Sequence, residues 1–506
     1  MKKAKKTLSV IVALWLCLLC TVPAFATTSV TISNPYKNID WSTVNTYKAA
    51  LHTHTNASDG DNTLLQSLER HAEAGFDIVA TTDHGTVDRG WRKDNSGVVH
   101  TLLRFAKRSE GEMTPLAQNG EFPNGATYSC YTSKNGDEYL SVNGSEIMRM
   151  PFGIENNAVS VNAHVNSWFA DYCNNSVNGY EDAVRGVDRL GGVSVINHPG
   201  EYTKARYEIR SEKAYSEDNL AYRYYINKFA SLIEKYPTCI GIDINSKGDA
   251  RTRFDRILWD RLLERFCAKG DSVFAIASSD AHQLDKVDTG YTLLLMPSLD
   301  SKSAKSALEN GEFFAASHCI GNYEELCEIA QAIKELYGEN ELYESVEKTV
   351  SEMKDRIEAI ENGEEDADSS IGITYSTLDE DGRLLAETEP CIKKISVDSE
   401  NGVISFETEN AAIVRLISNG KLIDTKRADN AVFNLGDYAG ELGGYVRAEI
   451  FGEGAIVYTQ AFLLNRNSQN KNKSAVDKGF FNFGFFDFLL AEFNRWFSVL
   501  GRKVGK

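Results

Sequence analysis

Short runs of β-prone apolar residues alternate with longer amphipathic stretches between residues 48 and 277. In the longer stretches, apolar residues recur three and four positions apart, which predicts helices. Strands that alternate with helices pair in parallel, so this order of elements is typical of an α/β fold. The helices are predicted at 64–74, 182–190, 220–236 and 254–269.

Seven of the strand-like runs share one feature: a residue able to bind a metal follows each of them. In a closed α/β barrel the carboxyl ends of the strands meet at one rim, where the chemical groups collect. The pattern therefore predicts a barrel of about seven strands whose open mouth is lined with histidines and acids. The run 48–51 leads to His52 and His54, 76–82 to Asp83 and His84, 139–143 to Glu146, 158–163 to His164, 192–197 to His198, 239–242 to Asp243, and 272–277 to Asp280 and His282.

The histidines are concentrated at these strand ends. Six of the nine stand just after a predicted strand, and only His71, His100 and His318 do not. Imidazole together with carboxylate suits Zn²⁺, Mn²⁺ or iron, and these ligands are more than one ion can accept. The sequence therefore predicts two or three divalent metal ions, with Mn, Zn and Fe as the candidates.

The pattern changes after the predicted barrel. Residues 324–368 hold 16 acids against 4 Lys plus Arg, with apolar residues three and four apart, which predicts an acidic helical hairpin. From 392 to 464, short alternating strands joined by Asn-Gly pairs predict a small β-sandwich. The expected units are a signal peptide at 1–26, the barrel at 27–320, the hairpin at 321–370, the sandwich at 371–465, a linker at 466–478 and an aromatic amphipathic tail at 479–506.

The two ends of the chain differ from its body. Four early lysines, an apolar run at 8–22 and the triplet Ala24-Phe25-Ala26 are typical of a secretory signal peptide, which predicts a secreted or surface-associated protein. An uncleaved membrane anchor is the alternative, although the run is short for a bilayer span. The tail at 479–506 is rich in Phe and ends in basic residues, so it either lies in a membrane interface or docks on the body as a terminal helix.

The acidic balance and the cysteine count exclude two classes of protein. Lys plus Arg total 54 against 72 Asp plus Glu, a net charge of -18, so binding to a nucleic-acid backbone is not expected. Two of the nine cysteines belong to the predicted signal peptide, and the other seven include no C-x-x-C pair. The sequence therefore predicts neither a disulfide framework nor a zinc-thiolate site.

At the strand ends the sequence resembles the PHP family, the metal-dependent phosphoesterases named for polymerase and histidinol phosphatase domains. The resemblance covers roughly residues 45–320 and rests on His52-Thr53-His54 with Asp59, Thr82-Asp83-His84, Gly144-Ser145-Glu146, His164, Asn197-His198-Pro199 and Ser279-Asp280-Ala281-His282. It implies a distorted seven-stranded barrel that holds up to three metal ions. Further matches at 241–245, 259–263 and 311–317 look most like an exported branch that includes carbaryl-hydrolase-like proteins, in which the cleaved bond need not be a phosphoester.

The resemblance also implies roles for individual residues. Asp83 would orient a neighbouring ligand, and Asp243 would be a wall residue. Glu146 would bridge two ions, but Glu155 competes with it because Glu155 lies nearer His164 in the sequence. The implied ligands are His52, His54, Asp59, His84, Glu146, His164, His198, Asp280 and His282.

We therefore expect an exported hydrolase that uses a hydroxide held by a two- or three-metal centre. Phosphoesters are the first expected substrates. Arg149, Lys247 and Arg251 stand near strand ends and are candidates for contacts to a small anionic or ester substrate, or else solvated surface cations. Two alternatives stay open. One is hydrolysis of a carboxylic or carbamate ester at the same site, and the other is a surface protein that binds a metal or ligand without turnover.

Overall fold

The computed structural model describes residues 30–93, 95, 114–157, 163–173, 179–365 and 372–466. The predicted signal peptide and aromatic tail lie outside these residues, as does 467–478 of the predicted linker. The strands are β1 (Val30–Ser33), β2 (Asn45–Ala50), β3 (Ile78–Val79), β4 (Asn119–Glu121), β5 (Thr127–Thr132), β6 (Glu138–Val142), β7 (Ser145–Arg149), β8 (Ile154–Asn157), β9 (His164–Trp168), β10 (Val193–Ile196), β11 (Cys239–Asp243), β12 (Phe274–Ile276), β13 (Gly290–Met296), β14 (Phe313–Ser317), β15 (Cys319–Ile320), β16 (Tyr375–Ser376), β17 (Cys391–Asp398), β18 (Val403–Glu409), β19 (Ile413–Ser418), β20 (Lys421–Arg427), β21 (Ala431–Asn434), β22 (Tyr445–Phe451), β23 (Ile456–Tyr458) and β24 (Phe462–Arg466).

Helices alternate with many of these strands, which confirms the predicted α/β class. The four helices predicted between the strands correspond to α1, α2, α4 and α5 of the following set. The α-helices are α1 (Leu64–Glu73), α2 (Tyr180–Arg189), α3 (Ser211–Ala214), α4 (Leu220–Lys235), α5 (Asp255–Cys267), α6 (Ser301–Asn310), α7 (Tyr323–Tyr337) and α8 (Glu341–Glu361). Short 3-10 helices occupy Pro199–Glu201, Ala205–Tyr207, Lys247–Asp249, Leu284–Lys286, Ala428–Asn430 and Leu435–Tyr438.

Local sequence signals explain where several helices begin. Thr63 caps α1 with a capping box, in which its hydroxyl accepts from the Gln66 amide while the Gln66 side chain accepts from the Thr63 amide. The side chains of Asn322 and Asn340 cap α7 and α8, the two helices of the acidic segment. Among the helices that the structure describes, none has the length and hydrophobicity needed to cross a membrane.

Two large sheets carry the fold. The first has the strand order β1-β24-β22-β23-β14-β13-β2-β3-β7-β6-β5-β4, and β19 and β20 attach to it at β22. The second has five strands in the order β12-β11-β10-β9-β8. The pairs β2–β3, β3–β7, β10–β11 and β11–β12 are parallel, whereas β9 is antiparallel to both of its neighbours.

The strand pairings among the described residues do not close into a barrel, so the predicted distorted seven-stranded barrel is not confirmed. The two large sheets meet at two isolated parallel bridges, Thr53 with Ala281 and His84 with Glu155. At the first bridge the His54 amide donates to the Ala281 carbonyl at 2.9 Å. Asp280, next to this bridge, has a φ of 49° and so leaves the extended conformation. The predicted ligands lie at this junction between the two sheets.

The C-terminal strands lie in two different sheets. β17, β18 and β21 form a separate three-stranded sheet, whereas β22, β23 and β24 extend the first large sheet through the antiparallel pairing of β23 with β14. The predicted hairpin turn at Asn419-Gly420 joins β19 to β20, and both of its residues have positive φ, as this tight turn requires. The boundaries of a separate sandwich at 371–465 stay a prediction. All seven cysteines from Cys130 onward are free, as the sequence predicts.

A buried network of alternating charges joins the C-terminal strands to α5. Arg447 on β22 donates to both carboxylate oxygens of Asp260 on α5, at 2.8 and 2.9 Å, and to Glu449 at 2.6 Å. Arg415 on β19 pairs with Glu449 in turn, at 2.5 Å. All four side chains are buried. Each charge therefore depends on its neighbours for compensation, because water is excluded from the network.

Because His71 on α1 is buried, we expect the protein to lose stability at acidic pH. The imidazole is buried, and its Nδ1 donates to the Ser67 carbonyl at 2.7 Å. Burial lowers the pKa of His71 from 6.5 to about 4. Between these pH values the unfolded chain therefore binds a proton at His71 and the folded chain does not. The contribution of neutral His71 to the free energy of unfolding is complete above pH 6.5 and is lost as the pH falls toward 4.

We expect the free energy of unfolding of the wild type to fall by about 3 kcal/mol more than that of His71→Gln between pH 7 and pH 4. Urea unfolding at a series of pH values measures the difference, and other titrating groups cancel between the two proteins. Equal pH dependence in both would show that His71 does not govern this loss.

Candidate metal centre

Eight of the nine predicted ligands come together where the two large sheets meet, and Glu155 takes the place of the ninth. Six histidines and three carboxylates are grouped there. Seven of the nine side chains are buried, and only Asp59 and His282 are partly exposed. The cluster consists of His52, His54, Asp59, His84, Glu155, His164, His198, Asp280 and His282.

Strand direction explains why these side chains meet. His52 follows β2, His84 follows β3, His198 follows β10 and Asp280 follows β12. Each of these strands has a parallel neighbour, and the carboxyl ends of parallel strands lie at one edge of a sheet. The two isolated bridges then bring the edges of the two sheets together. The predicted rim of histidines and acids therefore forms without a closed barrel.

His164 reaches the cluster by a different route from the predicted one. The run predicted at 158–163 lies outside the described residues except for Ala163, and β9 begins at His164 instead of ending before it. Because β9 is antiparallel to β8 and β10, its first residue falls at the edge where its neighbours end. The position of His164 is as predicted, and the direction of its strand is not.

Four donor atoms surround one point in the centre of the cluster. Glu155 Oε2 lies 3.3 Å from both His52 Nε2 and His54 Nε2. Asp280 Oδ1 lies 3.2 and 3.1 Å from the same two nitrogens, which are themselves 3.1 Å apart. Ligands held at about 2.0–2.2 Å in a tetrahedron are about 3.3 Å apart. These four side chains are thus spaced as the ligands of a single divalent ion are.

The Glu155 carboxylate extends this group to a second set of imidazoles. Its Oε1 lies 2.9 Å from His164 Nδ1 and 3.2 Å from His198 Nε2, and its Oε2 lies 3.1 Å from His84 Nδ1. Burial raises the pKa of Glu155, but the imidazoles of His164, His84 and His52 hold it well below its usual value. Glu155 is therefore an ionised carboxylate with imidazole nitrogens near both of its oxygens. A carboxylate in this position can bridge two metal ions.

The third part of the cluster is its open side. Asp59 Oδ1 lies 3.6 Å from His84 Nε2 and 3.4 Å from His282 Nε2. The side chains of Asp59 and His282 are 15% and 32% exposed, whereas that of Glu155 is 1% exposed. These two residues thus form the part of the cluster that a molecule from solution meets first.

Glu146 does not join the cluster, which corrects the predicted ligand set. Asn143 and Gly144 form a hairpin turn between β6 and β7, so Glu146 stands near the start of β7. Since β7 is parallel to β3, its start lies at the opposite edge from His84. The exposed Glu146 carboxylate accepts a hydrogen bond from the Tyr131 hydroxyl instead. Glu155 is bridged to His84 and occupies the position predicted for Glu146.

Buried atoms without partners show that the cluster suits metal ions. Asp280 Oδ1 and His164 Nε2 are buried and have no well-directed hydrogen bond among the described residues. Such atoms are rare in folded proteins and are expensive to leave unsatisfied. Burial raises the pKa of Asp280, but Lys247 and His52 hold it well below its usual value. A buried set of imidazole nitrogens and ionised carboxylates fits Zn²⁺, Mn²⁺ or Fe²⁺.

The backbone of the site is strained. His198, Lys247 and Asp280 all have positive φ, at 26°, 54° and 49°. Residues other than glycine rarely adopt this conformation, and where they do they often mark functional sites. His198 and Asp280 belong to the cluster, and Lys247 pairs with Asp280, so all three residues lie at the site.

Asp83 is buried behind His54. It accepts hydrogen bonds from the Thr55 amide at 2.8 Å, the Thr55 hydroxyl at 2.7 Å and the Ser58 hydroxyl at 2.6 Å. The Ser58 hydroxyl lies 3.2 Å from His54 Nδ1. The side chain of Asp83 thus orients the His54 ring through Ser58, as outer partners of metal-binding histidines do.

The three predicted anion contacts lie in different surroundings. Arg149 is buried and paired with Glu138 at 2.8 Å and Asp88 at 3.3 Å, so its charge is already compensated away from the cluster. Lys247 pairs directly with the ligand Asp280. Arg251 is 54% exposed at the rim. Of the three, Lys247 and Arg251 are the ones that lie next to the cluster.

Glu201 is a residue of the site that the sequence analysis did not identify. Its carboxylate lies 3.4 Å from His198 Nδ1, 3.9 Å from Lys247 and 3.2 Å from Arg251. Burial raises the pKa of Glu201, but Lys247 and His198 lower it to about 2. Its place three residues after His198 was the available signal. Glu201 links the ligand His198 to the basic residues at the rim.

Asp243 is buried and, among the described residues, does not belong to the grouped ligands. It accepts hydrogen bonds from the Ser278 hydroxyl and from the Asn245 amide, the latter at 3.2 Å. Burial raises the pKa of Asp243 to about 7.

No protein-family model and no curated protein matches the chain. Among solved structures, a two-domain protein from Bacteroides vulgatus that contains a predicted PHP-like metal-dependent phosphoesterase is 14% identical, with a TM-score of 0.35 over 86% of this chain and 90% of its own. PsfC from Pseudomonas syringae is 14% identical, with a TM-score of 0.30 over 52% of this chain and 87% of its own. The lesion-specific endonuclease PfuEndoQ from Pyrococcus furiosus is 11% identical, with a TM-score of 0.28 over 52% of this chain and 56% of its own. These identities and scores are low, so the site is interpreted from its own geometry.

Proposed function

We propose that the chain is an exported metal-dependent hydrolase of the PHP type that cleaves phosphoesters. The observation that carries the proposal is the buried Glu155 carboxylate, with imidazoles at both oxygens and Asp280 beside it. His52, His54, Glu155 and Asp280 would hold one ion. The remaining histidines and Asp59 provide donors for one or two more.

Divalent ions at these donors would supply Lewis acidity and an ionised water at neutral pH. The residues of the chain fix where that chemistry takes place. Glu155 sets the spacing of the donors on its two sides, and Asp83 keeps the His54 ring in one orientation through Ser58. The open side at Asp59 and His282 gives a substrate its access.

The basic residues favour an anionic substrate. Lys247 and Arg251 stand at the rim next to Glu201, which already compensates part of their charge. A phosphoryl group that approaches the cluster would meet these cations, and charge-assisted hydrogen bonds to phosphate are strong. This placement supports phosphoesters over neutral esters, because a neutral ester has no net charge for the two cations to attract.

A second candidate is a carboxylic or carbamate ester hydrolase at the same site. The matches at 241–245, 259–263 and 311–317 to the exported carbaryl-hydrolase-like branch favour it. A panel of aryl phosphate mono- and diesters, aryl acetates and aryl carbamates separates the two. We expect the phosphates to be cleaved faster, and a preference for the acetates or carbamates would reverse the order of the candidates.

The proposal includes a location outside the cytoplasmic membrane, with contact to a lipid surface through the aromatic tail. Several Phe side chains and the terminal basic residues favour an anionic interface, while the acidic body is repelled from it. We expect deletion of 479–506 to abolish sedimentation with anionic liposomes and to leave hydrolysis unchanged. Aggregation or lost activity of the truncated protein would indicate a docked structural helix instead.

A further inference from the structure

A second group of potential metal ligands lies apart from the cluster around Glu155 and shares no residue with it. Asp288 precedes β13, His318 follows β14 directly, and Glu389 stands two residues before β17. His318 Nε2 lies 3.6 Å from Asp288 Oδ2 and 3.8 Å from Glu389 Oε1. The three donor atoms all lie within 4.8 Å of one another, which is close enough for one ion to bind them together.

The hydrogen bonds of His318 fix which of its nitrogens carries the proton. Nδ1 lies 2.7 Å from the Gly454 carbonyl, which can only accept, so Nδ1 is the donor and Nε2 has the free lone pair. Nε2 is buried and has no hydrogen-bond partner in the described part of the chain. Metal-binding histidines commonly donate their other ring nitrogen to a carbonyl in this way.

The lone pair of His318 faces two carboxylates, which are also acceptors. A cation between the three donor atoms removes this conflict.

Lys48 compensates only part of the charge at this site. Its ammonium lies 2.8 Å from Asp288 Oδ1 and 3.1 Å from Glu389 Oε1, and it rests on the ring of Tyr291. The Tyr291 hydroxyl donates to Glu389 Oε2 at 2.5 Å, which turns Oε1 toward His318. Two carboxylates and one ammonium leave one net negative charge, and Asp288 Oδ2 stays directed at His318.

We propose that Asp288 Oδ2, His318 Nε2 and Glu389 Oε1 bind one divalent transition-metal ion, Zn²⁺ or Mn²⁺, at a site separate from the hydrolytic centre. Nitrogen and carboxylate donors suit these ions, and water completes the coordination. A cavity of about 440 Å³ lies beside two of the three ligands and is lined by Arg70, Asp288, Arg383 and Glu389 among others. The ion would fasten the start of β17 to the strands β13 and β14, a structural role beyond the proposed hydrolase.

The test counts the metal bound by the whole protein. Wild type, His318→Gln, Glu389→Gln and the exposed control Glu387→Gln are dialysed to equilibrium against Zn²⁺ and then analysed for metal content. We expect each of the first two variants to bind one molar equivalent less than wild type while keeping its hydrolysis, and the control to match wild type. Equal metal content in wild type and a folded Glu389→Gln would overturn the proposal. Because the Glu389 side chain is 28% exposed, this variant decides the question even if His318→Gln does not fold.

The same measurement on Glu155→Gln separates this proposal from the hydrolase. The one equivalent of Zn²⁺ that depends on His318 and Glu389 should still bind to Glu155→Gln. Zn²⁺ should therefore still raise the melting temperature of this variant. Adding Glu389→Gln should remove that rise. If the protein cleaves no substrate but Glu389→Gln still binds one equivalent of Zn²⁺ less than wild type, the second metal site is supported and the proposed hydrolase function is wrong.

Discussion

The Glu155→Gln variant is expected to lose more than about 100-fold in kcat/KM on an aryl phosphate and most of the metal bound at the cluster. The reason is that the two oxygens of Glu155 face His52, His54 and His84 on one side and His164 and His198 on the other. Loss of a residue that only supports a ligand costs about 10–100-fold, so loss of a shared ligand should cost more. Glutamine has the same shape without the charge, so the fold should persist. Hydrolysis and metal content of the same preparation are the measurements.

Glu146→Gln is the matched control for this prediction. Glu146 has the same side chain but lies exposed at the opposite edge of the sheet. We expect it to keep wild-type metal content and activity. A loss of activity in Glu146→Gln with none in Glu155→Gln would show that the bridging role belongs to Glu146 and would contradict the geometry of the site.

The Arg447→Met variant is expected to lower the free energy of unfolding by about 3–5 kcal/mol. Arg447 is 3% exposed and donates to both oxygens of Asp260 and to Glu449. Its removal leaves the buried Asp260 carboxylate without its arginine partner and leaves Glu449 paired with Arg415 alone. Methionine fills much of the volume, so the loss measures charge compensation more than packing. Urea unfolding followed by tryptophan fluorescence gives the value.

Arg261→Met controls for the removal of an arginine at an exposed ion pair. Arg261 is adjacent to Asp260 on α5, but its side chain is 44% exposed and pairs only with Glu264 among the described residues. Exposed pairs of this kind contribute about 0.2–1 kcal/mol. If Arg447→Met is no less stable than Arg261→Met, the buried charge network does not hold the C-terminal strands to α5.

Most of the site could be predicted because its ligands follow strands directly. His52, His84, His198 and Asp280 stand within a few residues of an apolar run, and strand direction places such residues at one edge. Each of these predictions needs only local sequence. The same holds for the helices, whose three- and four-residue periodicity and caps are local.

A local hairpin is the reason that Glu146 lies outside the cluster. Asn143-Gly144 is a hairpin turn, so the chain reverses there and the next residues begin a returning strand. A residue at the start of such a strand lies at the opposite edge from the residues that follow parallel strands. Glu155 is reached only after this hairpin, at the bridge to His84.

Other features depend on contacts between distant parts of the chain and leave little trace in the sequence. The pairing of β14 with β23 joins strands more than a hundred residues apart, and so the C-terminal strands extend the first sheet. The second candidate site likewise combines Asp288, His318 and Glu389 from three separate segments. A single histidine such as His318, away from the ordered motifs, gave no indication of these neighbours.

If divalent ions held around Glu155 drive hydrolysis, removing and restoring them should remove and restore the activity. The protein is expressed with Mn, Fe and Zn all supplied, and metal content and aryl phosphate hydrolysis are measured on one sample before and after chelation and resupply. We expect at least two equivalents of metal, loss of hydrolysis on chelation, and recovery of hydrolysis in proportion to the metal restored. Fewer than one equivalent of Mn, Fe and Zn together, or hydrolysis that persists after the metal is removed, would contradict it.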